Sequence, residues 1–231
     1  MNFKIITIFP KIFDSYFSES IIKRAQKQGI IKIISQNLRE FSGDRRETVD
    51  DTPYGGGAGM LMKIEPLYKA LKKLAPRVNK KRKIVLLSAQ GQRWTQQLAQ
   101  KYSKLNEVIF ICGRYEGVDE RIKNFIDEEI SIGDYVLTGG ELGAMVMIDS
   151  ITRLLPGALG NEQSSQDESH SQVGILEYPQ YTKPEKFKIK NKSYDVPEIL
   201  LSGNHQKIKE WQEKNETPRP NGRGFALELG I

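Results

Sequence analysis

At 231 residues, 38% of them hydrophobic and 28% charged, the chain is long enough for one large domain or two modest ones and too apolar to stay disordered. Lys and Arg number 35 against 29 acids, giving a net charge of +6 and a pI near 9.2, which permits a polyanionic partner without requiring one. One cysteine, Cys112, and two histidines, His170 and His205, exclude a disulfide framework and argue against a Cys/His metal cage, and no apolar run approaches the roughly 18 residues of a membrane span.

The opening Met1-Asn2-Phe3-Lys4-Ile5-Ile6 lacks a basic-then-apolar leader layout, so a soluble cytoplasmic protein is expected. Phe3 to Phe9 reads as a buried strand ended by Pro10. Phe13, Phe17, Ile21 and Ala25 then recur every fourth residue, which predicts a helix stopped by Gly29. Ile30 to Ile34 is a second strand, and Leu67, Leu71 and Leu74 mark a helix closed by Pro76. Lys83 to Leu87 and Val108 to Ile111 are short β-branched runs suited to a parallel sheet covered on both faces, with a helix from Trp94 to Tyr102 between them. A last strong helix is expected from about Gly140 to Leu154, placing Leu142, Met145, Val146, Asp149 and Arg153 near one another on its surface before Pro156-Gly157. The alternation predicts an α/β layer fold with a mostly parallel sheet.

Asn161 to Gln172 holds no large apolar residue and reads as a mobile linker. Apolar residues return sparsely after it, and Leu200-Leu201-Ser202-Gly203-Asn204 leads into a short helix from about His205 to Trp211. The expected layout is a domain over 1–160, a linker over 161–173, and a smaller, mainly helical, basic domain over 174–231.

Three strand ends run into glycine-bearing loops: Ser88-Ala89-Gln90-Gly91, Gly113-Arg114-Tyr115-Glu116-Gly117, and Ile132 to Glu141 with Gly133, Gly139 and Gly140. Ligands of open parallel sheets bind outside the carboxyl ends of the strands, so three such loops can converge on one small molecule. Neither G-x-x-x-x-G-K-[ST] nor a G-x-G-x-x-G after a strand is present, which removes most support for an NTPase, kinase or ordinary dehydrogenase. Pro53 to Met60 is glycine-dense but follows polar sequence, and is either a phosphate nest or a flexible turn.

Asp50-Asp51-Thr52-Pro53-Tyr54-Gly55-Gly56-Gly57, the run from Cys112 to Arg121, and the run from Ser131 to Leu142 closely resemble the bacterial tRNA (guanine-37-N1)-methyltransferase family. So do Tyr178-Pro179-Gln180-Tyr181-Thr182 and Leu200 to His205, and the resemblance covers nearly the whole chain. It implies a SPOUT-type fold with a deep trefoil knot, S-adenosylmethionine as methyl donor, a dependence on Mg²⁺, a homodimer with an active site shared between subunits, and a C-terminal domain that binds tRNA. The implied reaction is methyl transfer to N1 of guanine 37, next to the anticodon.

By that resemblance the three loops form the knot and hold the donor in a bent conformation. It assigns Leu87, Gly113, Tyr115, Glu116, Ile132, Gly133, Asp134, Tyr135, Val136, Leu137, Gly139 and Gly140 to the donor site. Glu177 aligns with a family aspartate near the sulfonium. Arg153 matches the family's catalytic arginine, although on its own it reads as a cation favoured by the helix dipole. The family's general base is a linker aspartate. Counting from Arg153 places Glu168 there, with Asp167 just before it, and one extra residue before Gly174 leaves either carboxylate able to serve. Glu168-Ser169 keeps the family's acid–serine order. Ala58 and Ala89 stand where the family usually has proline, and the chain ends soon after the Trp211 helix, so the last domain reads as short. Lys80 to Lys83, Lys183 to Lys192 and Arg219 to Arg223 are basic segments that, with a tRNA substrate, become phosphate contacts.

Overall fold

Five strands pair side by side in the first of two units, Met1–Glu162 and Gln163–Ile231, of the computed structural model, which describes residues 1–159, 175–190 and 192–218. In chain order the unit holds β1 (Asn2–Thr7), α1 (Asp14–Phe17), α2 (Ser20–Lys27), β2 (Lys32–Asn37), β3 (Asp50–Asp51), β4 (Leu61–Met62) and α3 (Ile64–Leu74). It continues with β5 (Arg82–Arg93), α4 (Gln96–Tyr102), β6 (Glu107–Cys112), β7 (Glu128–Ser131) and α5 (Glu141–Thr152). The main sheet has the order β2-β1-β6-β5-β7, and every neighbouring pair is parallel.

Alternate residues of the central strands feed two cores. Phe3, Ile5, Val108, Phe110 and Cys112 face one layer with Ile148 and Ile151 of α5; Ile6, Ile109 and Ile111 face the other with Leu67 and Leu71 of α3. Burial on both faces explains why these strands read as continuous apolar runs.

Three local expectations shift. The first helical stretch is two helices, because the chain turns at Ser18 and Glu19; the buried stripe therefore passes from Phe17 to Ile22, with Ile21 only half-buried. Ile30 and Ile31 close the end of α2 by donating to the Ala25 carbonyl, so β2 begins at Lys32 and runs through polar residues to Asn37 at the sheet edge. β5 does not end at Leu87. Its register against β7 slips between Leu87 and Gln92, so Ser88-Ala89-Gln90-Gly91 is a bulge inside a strand of 12 residues. At Gly91 a side chain would collide with the β7 backbone at Glu129 and Ile130, so only glycine lets the two strands resume pairing.

In the second unit, β8 (Ile175–Leu176) pairs with β11 (Thr217–Pro218) and β9 (Lys186–Ile189) pairs with β10 (Lys192–Asp195), both antiparallel. α6 (Glu198–Leu201) and α7 (His205–Asn215) complete its described residues. Tyr178 and Tyr181 pack their rings near Trp211 of α7, each at 6.4 Å between centroids. The expected mainly helical domain thus carries a hairpin of comparable weight, whose lysine-rich strands lack the apolar alternation that marks a half-buried sheet. No helix among the described residues is long and apolar enough to cross a membrane.

Candidate functional site

The bulge of β5 and the carboxyl ends of β6 and β7 open into a cleft of about 380 Å³, within the range of small-molecule sites. The β5 bulge supplies Leu87, Ser88, Ala89 and Gln90; the β6 exit supplies Gly113, Arg114, Tyr115, Glu116 and Gly117; the segment after β7 supplies Ile132, Gly133 and Tyr135 to Gly140. Eleven of the predicted donor-site residues therefore line one cavity: Leu87, Gly113, Tyr115, Glu116, Ile132, Gly133, Tyr135, Val136, Leu137, Gly139 and Gly140. Asp134 is not in the lining; its carboxylate turns outward and meets Arg93 at 3.3 Å.

Backbone seats this cleft. Gly140 N–H donates to the Gly113 carbonyl at 3.0 Å, and Gly139 bridges Arg114 in antiparallel fashion. The segment leaving β7 is thereby wedged between Leu87 of β5 and the exit of β6. A Cβ on Gly140 would lie 2.9 Å from the Cys112 Cα and 3.0 Å from the Leu87 Cβ, a fit only glycine permits. Tyr135, Val136 and Leu137 stay exposed at the rim, with Val136 at 90%. Exposed apolar residues beside backbone polar groups suit a flat heteroaromatic ligand.

Charge is placed with care behind the cleft. Glu141, the first residue of α5, is 1% exposed; it accepts from Thr7 Oγ1 at 2.8 Å and from Arg114 Nε at 2.9 Å. Arg114 also donates to the Thr138 carbonyl at 3.2 Å and lies 4.8 Å over the Phe9 ring. A carboxylate at a helix N-terminus with two donors is a satisfied buried charge. Sequence reasoning quoted Arg114 and Glu141 inside motifs but missed this pairing. The only local signal was an acid opening a helix, which reads equally as a surface dipole partner. Burial pushes the neighbouring Cys112 thiol well above its ordinary value, with Glu141 adding to the effect and Arg114 opposing it.

Tyr115 adopts a left-handed φ of 61°, and Asp50 and Arg39 lie near its hydroxyl. Burial first and Asp50 second raise its pKa, while Arg39 works against them. Glu116 N–H donates to the Met60 carbonyl at 3.0 Å, and its side chain fills the space a Cβ on Gly59 would need. The end of the glycine-dense turn, Gly59 and Met60, therefore packs against Glu116 behind the cleft wall, a placement the sequence left open.

Arg153 lies elsewhere. It caps α5 at the end opposite Glu141, beside a recess of about 300 Å³ lined by Tyr16, Glu19, Ser20, Ile21, Ile22 and Asp149. Twelve residues of helix at about 1.5 Å each set it roughly 18 Å along the axis from the cleft end. Glu177 belongs to the second unit, where Gln180 donates to it. Asp167 and Glu168 fall outside the described residues. Among the described residues no group of three His, Cys, Asp or Glu side chains could hold a metal ion.

In a parallel α/β unit, a cleft on the carboxyl side of the sheet is the usual place for a small-molecule ligand. Comparison narrows this to a family. The family model described as tRNA (guanine-1)-methyltransferase TrmD matches residues 1–227. The chain is 51% identical over 214 residues to the tRNA (guanine-N(1)-)-methyltransferase of Dictyoglomus turgidum, covering 93% of this chain and 84% of that one. It is 51% identical over 220 residues to that of Geobacillus kaustophilus (95% and 88%), and 49% identical over 219 residues to that of Desulfitobacterium hafniense (95% and 81%). The chain belongs to the tRNA (guanine-1)-methyltransferase family.

Proposed function

We propose that this chain transfers a methyl group from S-adenosylmethionine to N1 of guanine 37 in tRNA, with the donor in the cleft formed by the β5 bulge and the ends of β6 and β7. The observation that carries the reading is the convergence of the β5 bulge and the exits of β6 and β7 on one cavity, whose lining joins glycine backbone and apolar side chains to the charged Arg114, Glu116, Glu120, Lys123 and Glu129. Such walls fit an adenosine: N–H and C=O groups read a purine edge, and Leu87, Ile132 and Leu137 cover its faces. When bound, the donor supplies a methyl group activated on a sulfonium. The wedging of the post-β7 segment between Leu87 of β5 and the β6 exit supports the knotted SPOUT arrangement.

Guanine N1 titrates roughly two units above neutrality, so removing its proton costs about 3 kcal/mol at about 1.4 kcal/mol per unit. We assign that proton to a linker carboxylate, Glu168 in preference to Asp167, and the charge developing on O6 to Arg153. The N1 lone pair then takes the methyl carbon as its bond to sulfur breaks, leaving a neutral thioether. A positioned base contributes on the order of 10²–10⁴-fold.

Two copies of the chain make the site. Arg153 sits at the far end of α5 from the donor cleft, so a base bound by both must bridge subunits. The surface beside α5 carries exposed Leu142 and Val146, one turn apart, with Ile12 and Tyr16 nearby, an apolar face suited to a second copy. The second unit is assigned to tRNA.

Calorimetry tests the donor cleft. S-adenosylmethionine should bind saturably where ATP and NAD do not, and Gly140→Val should lose at least tenfold in donor affinity while its thermal unfolding remains cooperative. Donor binding unchanged by that substitution would overturn the site assignment.

A further inference from the structure

The β9–β10 hairpin of the second unit is exposed along its whole length, on both faces. A two-stranded ribbon with neither face packed is marginal by itself, so its exposed side chains call for a partner. Register sorts them. Phe187 stands opposite Tyr194 and Ile189 opposite Lys192 on one face, while Lys188 stands opposite Ser193 and Lys186 opposite Asp195 on the other. Phe187 is 55% exposed and Tyr194 is 50% exposed, and the Lys192 ammonium lies 5.2 Å over the Tyr194 ring. From Lys183 to Asp195 the sequence carries five lysines against two acids.

We propose that this hairpin is a single-strand RNA platform: Phe187 stacks on an unpaired base of the tRNA from one face of β9, while Lys188 and Lys186, which alternate to the other face, reach phosphates of the same RNA strand around the free edge of β9. The inference rests on the tRNA reading above and specifies where in the second unit that substrate is gripped. Aromatic rings beside lysines fit nucleic acid better than a protein surface, because a base offers a ring face and a phosphate within one nucleotide. A paired stem presents no open base face, so the contact falls on a loop or an end. Lys192 already covers Tyr194, which leaves Phe187 as the open ring.

The ring and the ammonium groups separate by their salt response. Affinity of the full chain for unmodified tRNA should be measured by filter binding across a range of salt. Phe187→Leu, which keeps an apolar cross-strand partner for Tyr194, should weaken binding about tenfold with the salt slope unchanged. Phe187→Tyr should restore it. Lys188→Gln should weaken binding and lower the salt slope by about one. Calorimetric donor affinity should be the same in all three variants. Wild-type tRNA affinity in both Phe187→Leu and Lys188→Gln, with methylation by the unaltered chain intact, would overturn the platform and leave the tRNA reading standing. A change in assembly mass in Phe187→Leu without any loss of tRNA affinity would assign the ring to a protein contact and also overturn it. Failure of the unaltered chain to modify tRNA at all would overturn both.

Discussion

Arg114 reaches three parts of the first unit at once: Glu141 at the start of α5, the Thr138 carbonyl at the cleft rim, and the Phe9 ring beyond β1. Removing its charge would leave a carboxylate that is 1% exposed with only Thr7 as a donor, and breaking such a buried pair typically costs about 3–5 kcal/mol. Arg114→Met should therefore lower the urea midpoint sharply, whereas Arg114→Met with Glu141→Gln should recover part of the loss; equal midpoints for the two would contradict the pairing. At the same scale, the choice of base is decided by substitution. Glu168→Gln should cut single-turnover methylation at least a hundredfold without touching donor affinity, and Asp167→Asn should do much less. A reversed order makes Asp167 the base, and near-normal rates in both remove the linker from the mechanism.

Elements hold together through similar ties. Tyr102 of α4 donates to Glu128 of β7 at 2.5 Å, and Lys83 of β5 meets the same carboxylate at 2.9 Å. Burial, and then Glu128, push the Tyr102 phenol far above its ordinary value. Burial also raises Glu128, but the Tyr102 and Lys83 donors outweigh it and hold the carboxyl below its ordinary range. The signs differ. Glu128 contributes stability above its ordinary pKa that is lost as acid takes the pH through its lowered value, whereas Tyr102 contributes stability that fades above about pH 10, where the unfolded chain releases the phenolic proton. Tyr102→Phe should flatten the fall in urea midpoint between about pH 9 and 11; an unchanged slope would contradict the tie.

The same elements show what was legible in advance. β1, β5 and β6 announced themselves because two-sided burial leaves only apolar residues in a row. The bulge at Ser88 to Gly91 did not, since the return of Gln92 and Arg93 to β7 depends on a neighbour some 40 residues away. The donor loops were visible through their glycines, but the pairing of Arg114 with Glu141 needs 27 residues of chain to fold back. The outward turn of Asp134 depends on Arg93 in the same way.

At the scale of the molecule, the proposed site joins two chains. Leu142→Glu with Val146→Glu should yield monomers by light scattering and abolish methylation, because Arg153 and the donor cleft lie at opposite ends of α5. Mixing Gly140→Val with Glu168→Gln should restore about a quarter to a half of the activity through heterodimers with one intact site, given closed two-fold symmetry. No recovery after subunit exchange would contradict a shared site. The claim on which all of this rests is tested most directly by incubating the chain with methyl-labelled S-adenosylmethionine and unmodified tRNA, then digesting the tRNA and mapping its modified nucleosides. The account predicts label in 1-methylguanosine alone, at position 37; label in another nucleoside, at another position, or nowhere would contradict it.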